Sequence, residues 1–506
     1  MMAGRHSQFH LTLSTLLQGV IDLKPEADRN ISGMSLDSRD IQAGDLFLAC
    51  AGRSQNGASF IDVAIANGAV AVLWETQTGT QAIPLAYRPA PMGKAIPIIA
   101  VPNLSQLAGI LADRFYGQPS RALFISGVTG TNGKTSVSQF LAHALSADAP
   151  AGLIGTLGHG LYQQLEMGRH TTPDAVTVHR WLAELREQGA ASVAMEVSSH
   201  ALHQGRVNGV LFDCAVFTNL SRDHLDYHGD MQSYAAAKAD LFNMPGLRYA
   251  VINSDDATGR DLLADLPKHL KVLRYGLEVE HQPDVLGKCL SLSSEGVEVE
   301  VVTPKGKGRF HSSLLGRFNI SNLLAVLAVL LLRGIPLQGA LARLTTVKPV
   351  AGRMETFGGG SKPLVIVDYA HTPDALEQVL KALREHCQGR LWCVFGCGGD
   401  RDTGKRTLMG AIAETLADAV ILTNDNPRSE DPEQILQDIQ KGTSHPELIE
   451  IQQDRRQAIA MAIAQAKPGD VVLIAGKGHE AWQQIGNDKI PFSDIEEVAS
   501  QLDVWT

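Results

Sequence analysis

Leu123-Phe-Ile-Ser-Gly-Val-Thr-Gly-Thr-Asn-Gly-Lys-Thr135 is the stretch whose reading decides the fold. An apolar run from Ala122 to Ile125 suits a buried strand and passes into glycines, a lysine and a hydroxyl. Val137, Phe140, Leu141, Ala144 and Leu145 then recur at helical spacing, so the order is strand, loop, helix. Gly127, Gly130 and Gly133 are expected to let backbone N–H groups close on phosphate oxygens, and the helix N-terminus adds its partial positive charge. In such a loop Lys134 meets the outer phosphates and Thr135 offers its hydroxyl to a magnesium ion. The generic spacing wants a glycine five residues before Gly133, where this chain has Val128, so the generic motif is not strictly matched. A glycine-rich turn with a chance Lys-Thr is the plain alternative.

A chain of 506 residues is too long for one core. Changes of pattern near Gly117-Gln-Pro-Ser120 and Val347-Lys-Pro-Val350 divide it into residues 1–118, 119–347 and 348–506. Hydrophobic content of 44% with 19% charged residues predicts compact folding rather than disorder. A net charge of −10 argues against nucleic-acid or anionic-membrane partners. Cys50, Cys214, Cys289, Cys387, Cys393 and Cys397 are scattered, and Cys393 with Cys397 lacks a second pair at metal-ligand spacing, so reduced core thiols are expected. The N-terminus lacks a basic segment followed by an apolar core, and the run Leu323–Leu332 is too short to span a bilayer. A cytoplasmic enzyme is the expectation.

In the first segment Asp37-Ser-Arg39, Ala43-Gly-Asp-Leu-Phe-Leu48 and Gly52-Arg-Ser-Gln-Asn-Gly57 look like loops around a small sheet, and Ala82–Pro97, with four prolines, reads as a loop. Leu104–Tyr116 has helical spacing. The central segment alternates strand-like and helix-like patterns, as a mainly parallel α/β domain does. Thr171-Thr-Pro-Asp174 reads as a helix N-cap. Ser192–Val197 is a short buried strand that carries Glu196; an unpaired carboxylate there is costly, and either a magnesium ion or a local salt bridge satisfies it. Val216–Gly229 ends in a dense polar cluster without the His-x-x-x-His or cysteine partners of a zinc centre, which favours magnesium. On the helix Tyr234–Phe242, periodicity alone makes Lys238 a solvated charge. Asn319 and Asn322 are plausible caps of the apolar helix through Leu332. The last segment predicts strands at Leu364–Val367, Leu391–Phe395, Ala419–Thr423 and Val471–Ala475. Phe395-Gly-Cys-Gly-Gly-Asp-Arg401 fails as a dinucleotide fingerprint because its third position is Arg401. Asp425-Asn-Pro-Arg428, taken alone, is a turn with a surface arginine.

Gly130-Thr-Asn-Gly-Lys-Thr135 resembles the ATP loop of the Mur ligases and their folylpolyglutamate synthetase relatives, and ordered motifs extend the resemblance to the Mur ligases nearly end to end. It implies three α/β domains: an N-terminal uridine-nucleotide-binding domain, a central P-loop ATPase domain with a mainly parallel sheet, and a C-terminal Rossmann-like domain. The ATP site implied comprises Gly130, Thr131, Asn132, Gly133, Lys134, Thr135, Ser136, Asn319, Asp368 and His371. Leu36, Ser38, Arg53, Ser54, Gln55, Thr171, Thr172, Ser198, Gln204 and Arg206 fall at contacts to a UDP-MurNAc-dipeptide. Two magnesium ions are implied, on Thr135, Glu196, His224 and Lys238, the last carrying carbon dioxide as a carbamate (N6-carboxylysine). Asp-Asn-Pro-Arg is the mark of members that add meso-diaminopimelate rather than lysine, with Arg401, Asp425, Asn426, Pro427, Arg428, Gly476 and Glu480 in that pocket. The activity implied is ATP-dependent amide formation through an acyl phosphate, in peptidoglycan precursor synthesis, by a cytoplasmic monomer whose partners are small molecules. A guanine-nucleotide switch is disfavoured by the lack of Asn-Lys-x-Asp, and a folate ligase by the uridine-type first segment.

Overall fold

The computed structural model describes residues 9–52, 56–76, 85–90, 94–168, 170–293 and 296–505. Three main sheets run through them. In the first, Gly33–Ser35, Asp45–Ala49, Ala71–Thr76 and Ile96–Pro102 lie parallel in that order, and Leu85–Arg88 adds antiparallel to the last. That edge strand corrects the reading of Ala82–Pro97 as a loop. An edge needs ladder hydrogen bonds on one side only, so prolines around it do no harm. The helix Leu104–Phe115 buries Leu104, Ala108, Leu111, Ala112 and Phe115 in the first core, which also takes in Ala175, Val176 and Ala183 of the helix Ala175–Glu187.

The central sheet has eleven strands among the described residues, parallel from Ala151–Gly155 through Ser192–Glu196, Phe124–Thr129, Cys214–Phe217, Tyr249–Asn253 and Lys271–Gly276 to Val285–Ser293, with antiparallel hairpins at both ends. Its inner strands are apolar runs because helices cover both faces. On one face Lys134–Leu145 and Arg317–Leu332 pack together; the second is apolar all round and buried from Ile320 to Leu331 apart from Ser321. Full burial of each such leucine contributes about 1.5–3 kcal/mol, so a charge at Leu327 would unmake this layer. Asn319 and Asn322 are not the caps expected of them. The N-cap is Gly316, and the asparagines point inward from the first two turns, Asn319 Nδ2 donating to Leu315 O at 2.9 Å and Asn322 Nδ2 to Asn319 Oδ1 at 3.1 Å.

Gly127 also departs from expectation, since it lies inside the strand Phe124–Thr129. A Cβ there would stand 2.8 Å from the Phe212 ring, so this glycine makes room for core packing rather than for phosphate. The third sheet orders Glu355–Gly358, Leu364–Asp368, Val471–Ala475, Leu391–Phe395, Ala419–Leu422 and Glu450–Ile451, antiparallel at the first pair and parallel beyond. Val471–Ala475 sits between the first two parallel strands of the sequence. Strand order therefore switches there, and loops leaving the carboxyl ends on either side open a crevice. Among the described residues no helix is long and apolar enough to cross a membrane.

Candidate active site

The phosphate loop closes the strand Phe124–Thr129 and enters the helix Lys134–Leu145 through Gly130 (φ 149°) and Gly133 (φ 84°), backbone states open to glycine. Neighbouring strand ends hold the loop. Thr131 N donates to Asn219 O at 2.8 Å, Asn132 N to Asn219 Oδ1 at 2.9 Å, and Thr218 Oγ1 to Asn132 O at 2.6 Å. Lys134 folds back on its own loop, Nζ donating to Gly130 O at 2.9 Å and Thr131 O at 2.8 Å. Lys238 reaches the same carbonyl from the helix Met231–Ala239, its Nζ 2.7 Å from Gly130 O. It is 2% exposed, not the solvated charge its helical position suggests. Two ammonium groups on one carbonyl repel each other. Burial first, then Lys134, holds Lys238 well below the ordinary lysine range, and burial lowers Lys134 as well.

Glu196 is 1% exposed at the end of its strand, and hydroxyls and an amide satisfy it rather than the salt bridge that was the alternative. Its Oε2 accepts from Thr135 Oγ1 at 3.0 Å and Thr156 Oγ1 at 3.1 Å, and its Oε1 from Thr156 N at 2.8 Å. Among the described residues no three His, Cys, Asp or Glu side chains form a set that could hold a metal. The donor set at Glu196, one carboxylate and hydroxyls beside a phosphate loop, fits magnesium that completes its shell with phosphate and water. His224 (φ 54°) is half-exposed, 3.4 Å from Asp223, with its ring edge-on to His200.

Thr171 Oγ1 lies 3.0 Å from Thr156 Oγ1, and Thr172 Oγ1 donates to Glu196 O at 2.8 Å. Asp174 caps the helix Ala175–Glu187, as the turn chemistry predicts. Ser198 caps the next short helix, and Gln204 Oε1 accepts two bonds from Arg206, at 2.9 and 2.7 Å, whose Nη1 donates to Thr172 O at 2.9 Å. Leu36 and Ser38 lie in the first sheet's region, half-buried and buried. Arg53, Ser54 and Gln55 lie outside the described residues.

Across a cleft of ≈ 540 Å³, Lys134, Thr135 and Glu196 face Arg353, Asp368 and His371. Asp368 accepts from Met354 N at 2.7 Å and Ala370 N at 2.8 Å, yet burial still raises it above the usual carboxylate range. His371 is pushed down to about 4, by burial and then by Lys405, and its Nδ1 donates to Tyr369 O at 2.8 Å. Ser136 and Asn319 are buried beside the loop. Gly476 N donates to Asp368 O at 3.1 Å, which joins this cleft to the last group of candidates. There Asn426 Nδ2 donates to Glu480 Oε2 at 2.9 Å, and fully buried Lys477 donates to Asn426 Oδ1 at 3.2 Å and Glu480 Oε2 at 3.0 Å. Asp425 is buried, and burial raises it. Pro427 is buried, Arg401 is exposed, and half-buried Arg428 is not a surface arginine, its Nη1 donating to Gly399 O at 2.7 Å.

Thr156, Asp374, Arg353 and Lys477 join these groups without having been singled out. Arg353 stands just after the change of pattern at Val347–Val350, and its guanidinium lies 4.3 Å over the Tyr369 ring. A charged residue beside Gly352 was its only signal. Lys477 lies inside Gly476-Lys-Gly-His-Glu480, but its complete burial is not written in those letters.

Fold and site define an α/β protein with a nucleotide-phosphate loop set against a second α/β unit. Residues 30–116 match the Mur ligase family, catalytic domain, residues 128–330 the Mur ligase middle domain, and residues 352–478 the Mur ligase, glutamate ligase domain. The UDP-N-acetylmuramoyl-L-alanyl-D-glutamate–2,6-diaminopimelate ligase of Coxiella burnetii is 49% identical over 96% of this chain and 99% of its own. The protein of that name from Ectopseudomonas mendocina is 52% identical over 94% of this chain and 96% of its own. A solved structure of such a ligase aligns over 97% of this chain and 99% of its own with TM-score 0.70 and 39% identity. The chain belongs to the Mur ligase family. A MurF structure from Acinetobacter baumannii, 19% identical with TM-score 0.66 over 97% of this chain and 98% of its own, shares the fold.

Proposed function

We propose that this chain is an ATP-dependent, ADP-forming ligase that joins meso-diaminopimelate to UDP-MurNAc-L-Ala-D-Glu through an acyl phosphate, in the cytoplasm and as a monomer. The single observation that carries the reading is that Asp368, which lines one cleft with the phosphate loop, accepts from Gly476 N, and the segment Gly476–Glu480 in turn holds Asn426 of the arginine-bearing loop Asp425–Arg428 through Lys477 and Glu480. Lys134 leaves its two loop carbonyls for the outer phosphates when ATP binds, and the loop amides hold the migrating phosphoryl group. Thr135 and Glu196 would hold one magnesium ion, His224 and carbamylated Lys238 another. Magnesium bound there offsets the charge crowded between phosphates and the substrate carboxylate. The lowered proton affinity of Lys238 favours the neutral amine, the form that takes up carbon dioxide. Thr171, Thr172, Ser198 and Arg206 orient the dipeptide end of the nucleotide substrate. Asp425 and Glu480 take ammonium groups, and Arg428 grips the distal carboxylate with paired hydrogen bonds, which lysine cannot offer.

The decisive assay is ATP-dependent tripeptide formation with meso-diaminopimelate against L-lysine. Product with diaminopimelate alone is expected. Product with neither amino acid overturns the reading, and equal product with both removes the role given to Arg428.

A further inference from the structure

The glycine-rich stretch Phe395–Arg401, which fails as a dinucleotide fingerprint, is bound to the Asp425–Arg428 loop rather than left open for phosphate. Gly399 N donates to Asn426 O at 2.9 Å, and Ser429 Oγ donates to Asp400 Oδ1 at 2.6 Å. Gly396 and Gly399 are glycines of the fold, because a Cβ on either would stand 2.0 Å from a backbone carbonyl oxygen, Thr423 O or Pro427 O. Gly398 differs. Its φ lies outside the left-handed region, so the backbone itself would accept a side chain. A Cβ there would meet Arg428 Nη1 at 2.8 Å, closer than any other atom, with Arg428 Cζ at 3.8 Å and Arg401 Cγ at 3.9 Å the next nearest. The atom that a side chain at this position would displace is the guanidinium nitrogen of Arg428.

Backbone bonds and one side-chain bond set where that guanidinium lies. Arg428 is itself left-handed, with φ 51°, and its backbone is clamped by the hairpin Trp482–Pro491: Arg428 N donates to Gln484 O at 3.1 Å and Gly486 N to Arg428 O at 2.7 Å. Side-chain Nη1 then takes the Gly399 carbonyl at 2.7 Å. We infer that Gly398 is a specificity-determining residue: the space left by its missing side chain sets the aim of the Arg428 fork toward the distal carboxylate of the incoming amino acid, with Arg401 along its other edge. This rests on the proposed function, in which Arg428 takes that carboxylate. A guanidinium makes two parallel bonds to a carboxylate only when its plane is aimed, and a methyl pushed against Nη1 tilts that plane.

The experiment is a double-mutant cycle with Gly398→Ala and Arg428→Ala, read as KM and kcat for meso-diaminopimelate at saturating ATP and nucleotide substrate, beside thermal melts. Arg428→Ala alone should raise KM by roughly thirtyfold or more, the loss of a desolvated charge pair. Gly398→Ala should raise it by roughly tenfold with KM for ATP unmoved, as contacting neighbours couple. In the Arg428→Ala background the same methyl no longer has the guanidinium against it, keeps an ordinary contact with Arg401 Cγ, and should change KM less than about twofold. An unchanged KM in Gly398→Ala, or an equal rise in both backgrounds, overturns the inference. Should Gly398→Ala melt early, recovery in the double variant supports the steric pairing and no recovery overturns it. Failure of wild type to make product overturns the proposed function and this inference with it, whereas normal wild-type turnover with an uncoupled cycle overturns this inference alone.

Discussion

Lys134 and Lys238 donate to one carbonyl oxygen, that of Gly130, and this sharing separates their roles. Lys134 has two loop carbonyls as temporary partners, so Lys134→Ala should abolish turnover and leave the fold intact; phosphate release beside a thermal melt measures both. Near-normal turnover in a folded variant would exclude the loop as the ATP site. Among the described residues no carboxylate accepts a bond from Lys238, and its burial disfavours charge. Lys238→Ala should be nearly inactive and partly restored by short carboxylic acids, while Lys238→Arg should not restore it. Labelled bicarbonate gives a second readout: wild type should show a protein-bound carbamate carbon by NMR and Lys238→Ala should not, and a signal equal in both would remove the carbamate. The letters around Lys238 carry no trace of its burial. A lysine's stem suits a helix surface equally well, and only the approach of the Gly130 loop, more than a hundred positions earlier, encloses it.

Elements place these residues by a common device: functional loops leave the carboxyl ends of parallel strands. Local pattern made the four inner strands of the third sheet legible, because short apolar runs between turn residues have few other readings, but not its edges Glu355–Gly358 and Glu450–Ile451. The strand Leu85–Arg88 was not legible, since prolines mark loops and tolerated edges alike. Nor was the support beneath the loop Gly476–Glu480. Arg455 and Asp494 lie fully buried under it, paired at 2.7 Å through both Nε and Nη2, and Arg455 Nη2 also donates to Ala475 O at 2.9 Å. Removing one partner strands a buried charge, so Asp494→Ala should cost about 3–5 kcal/mol in urea unfolding. A loss under about 1 kcal/mol would show that water replaces the carboxylate and that the pair does not brace the loop.

At the scale of the whole molecule, the cleft is lined from both the central and the C-terminal segments, and a bond across it, Asn132 Nδ2 to Asp374 Oδ2 at 2.9 Å, ties the phosphate loop to the helix Pro373–His386. Three histidines are partly buried in these segments. His200, His371 and His479 are all pushed down to about 4, by burial first in each case. The unfolded chain binds their protons below its ordinary 6.5 while the folded chain refuses them, so their contribution is present above that value and is lost as pH falls toward about 4. Asp368 and Asp425, raised by burial, act in the opposite sense, so the test is comparative. Between about pH 7 and about pH 5 the melting temperature of His479→Gln should fall less than that of wild type. Equal falls would show that His479 does not resist protonation in the fold. The sequence by itself determined the phosphate loop, the alternation that makes parallel sheets and the family, because each is written in neighbouring residues through backbone permission, periodicity and motif. Only the tertiary structure decided which lysine is buried, which hydroxyls hold Glu196, which glycine yields its space to Arg428 and how two segments line one cleft. Those depend on contacts between residues far apart in the chain, whose energies no local pattern records.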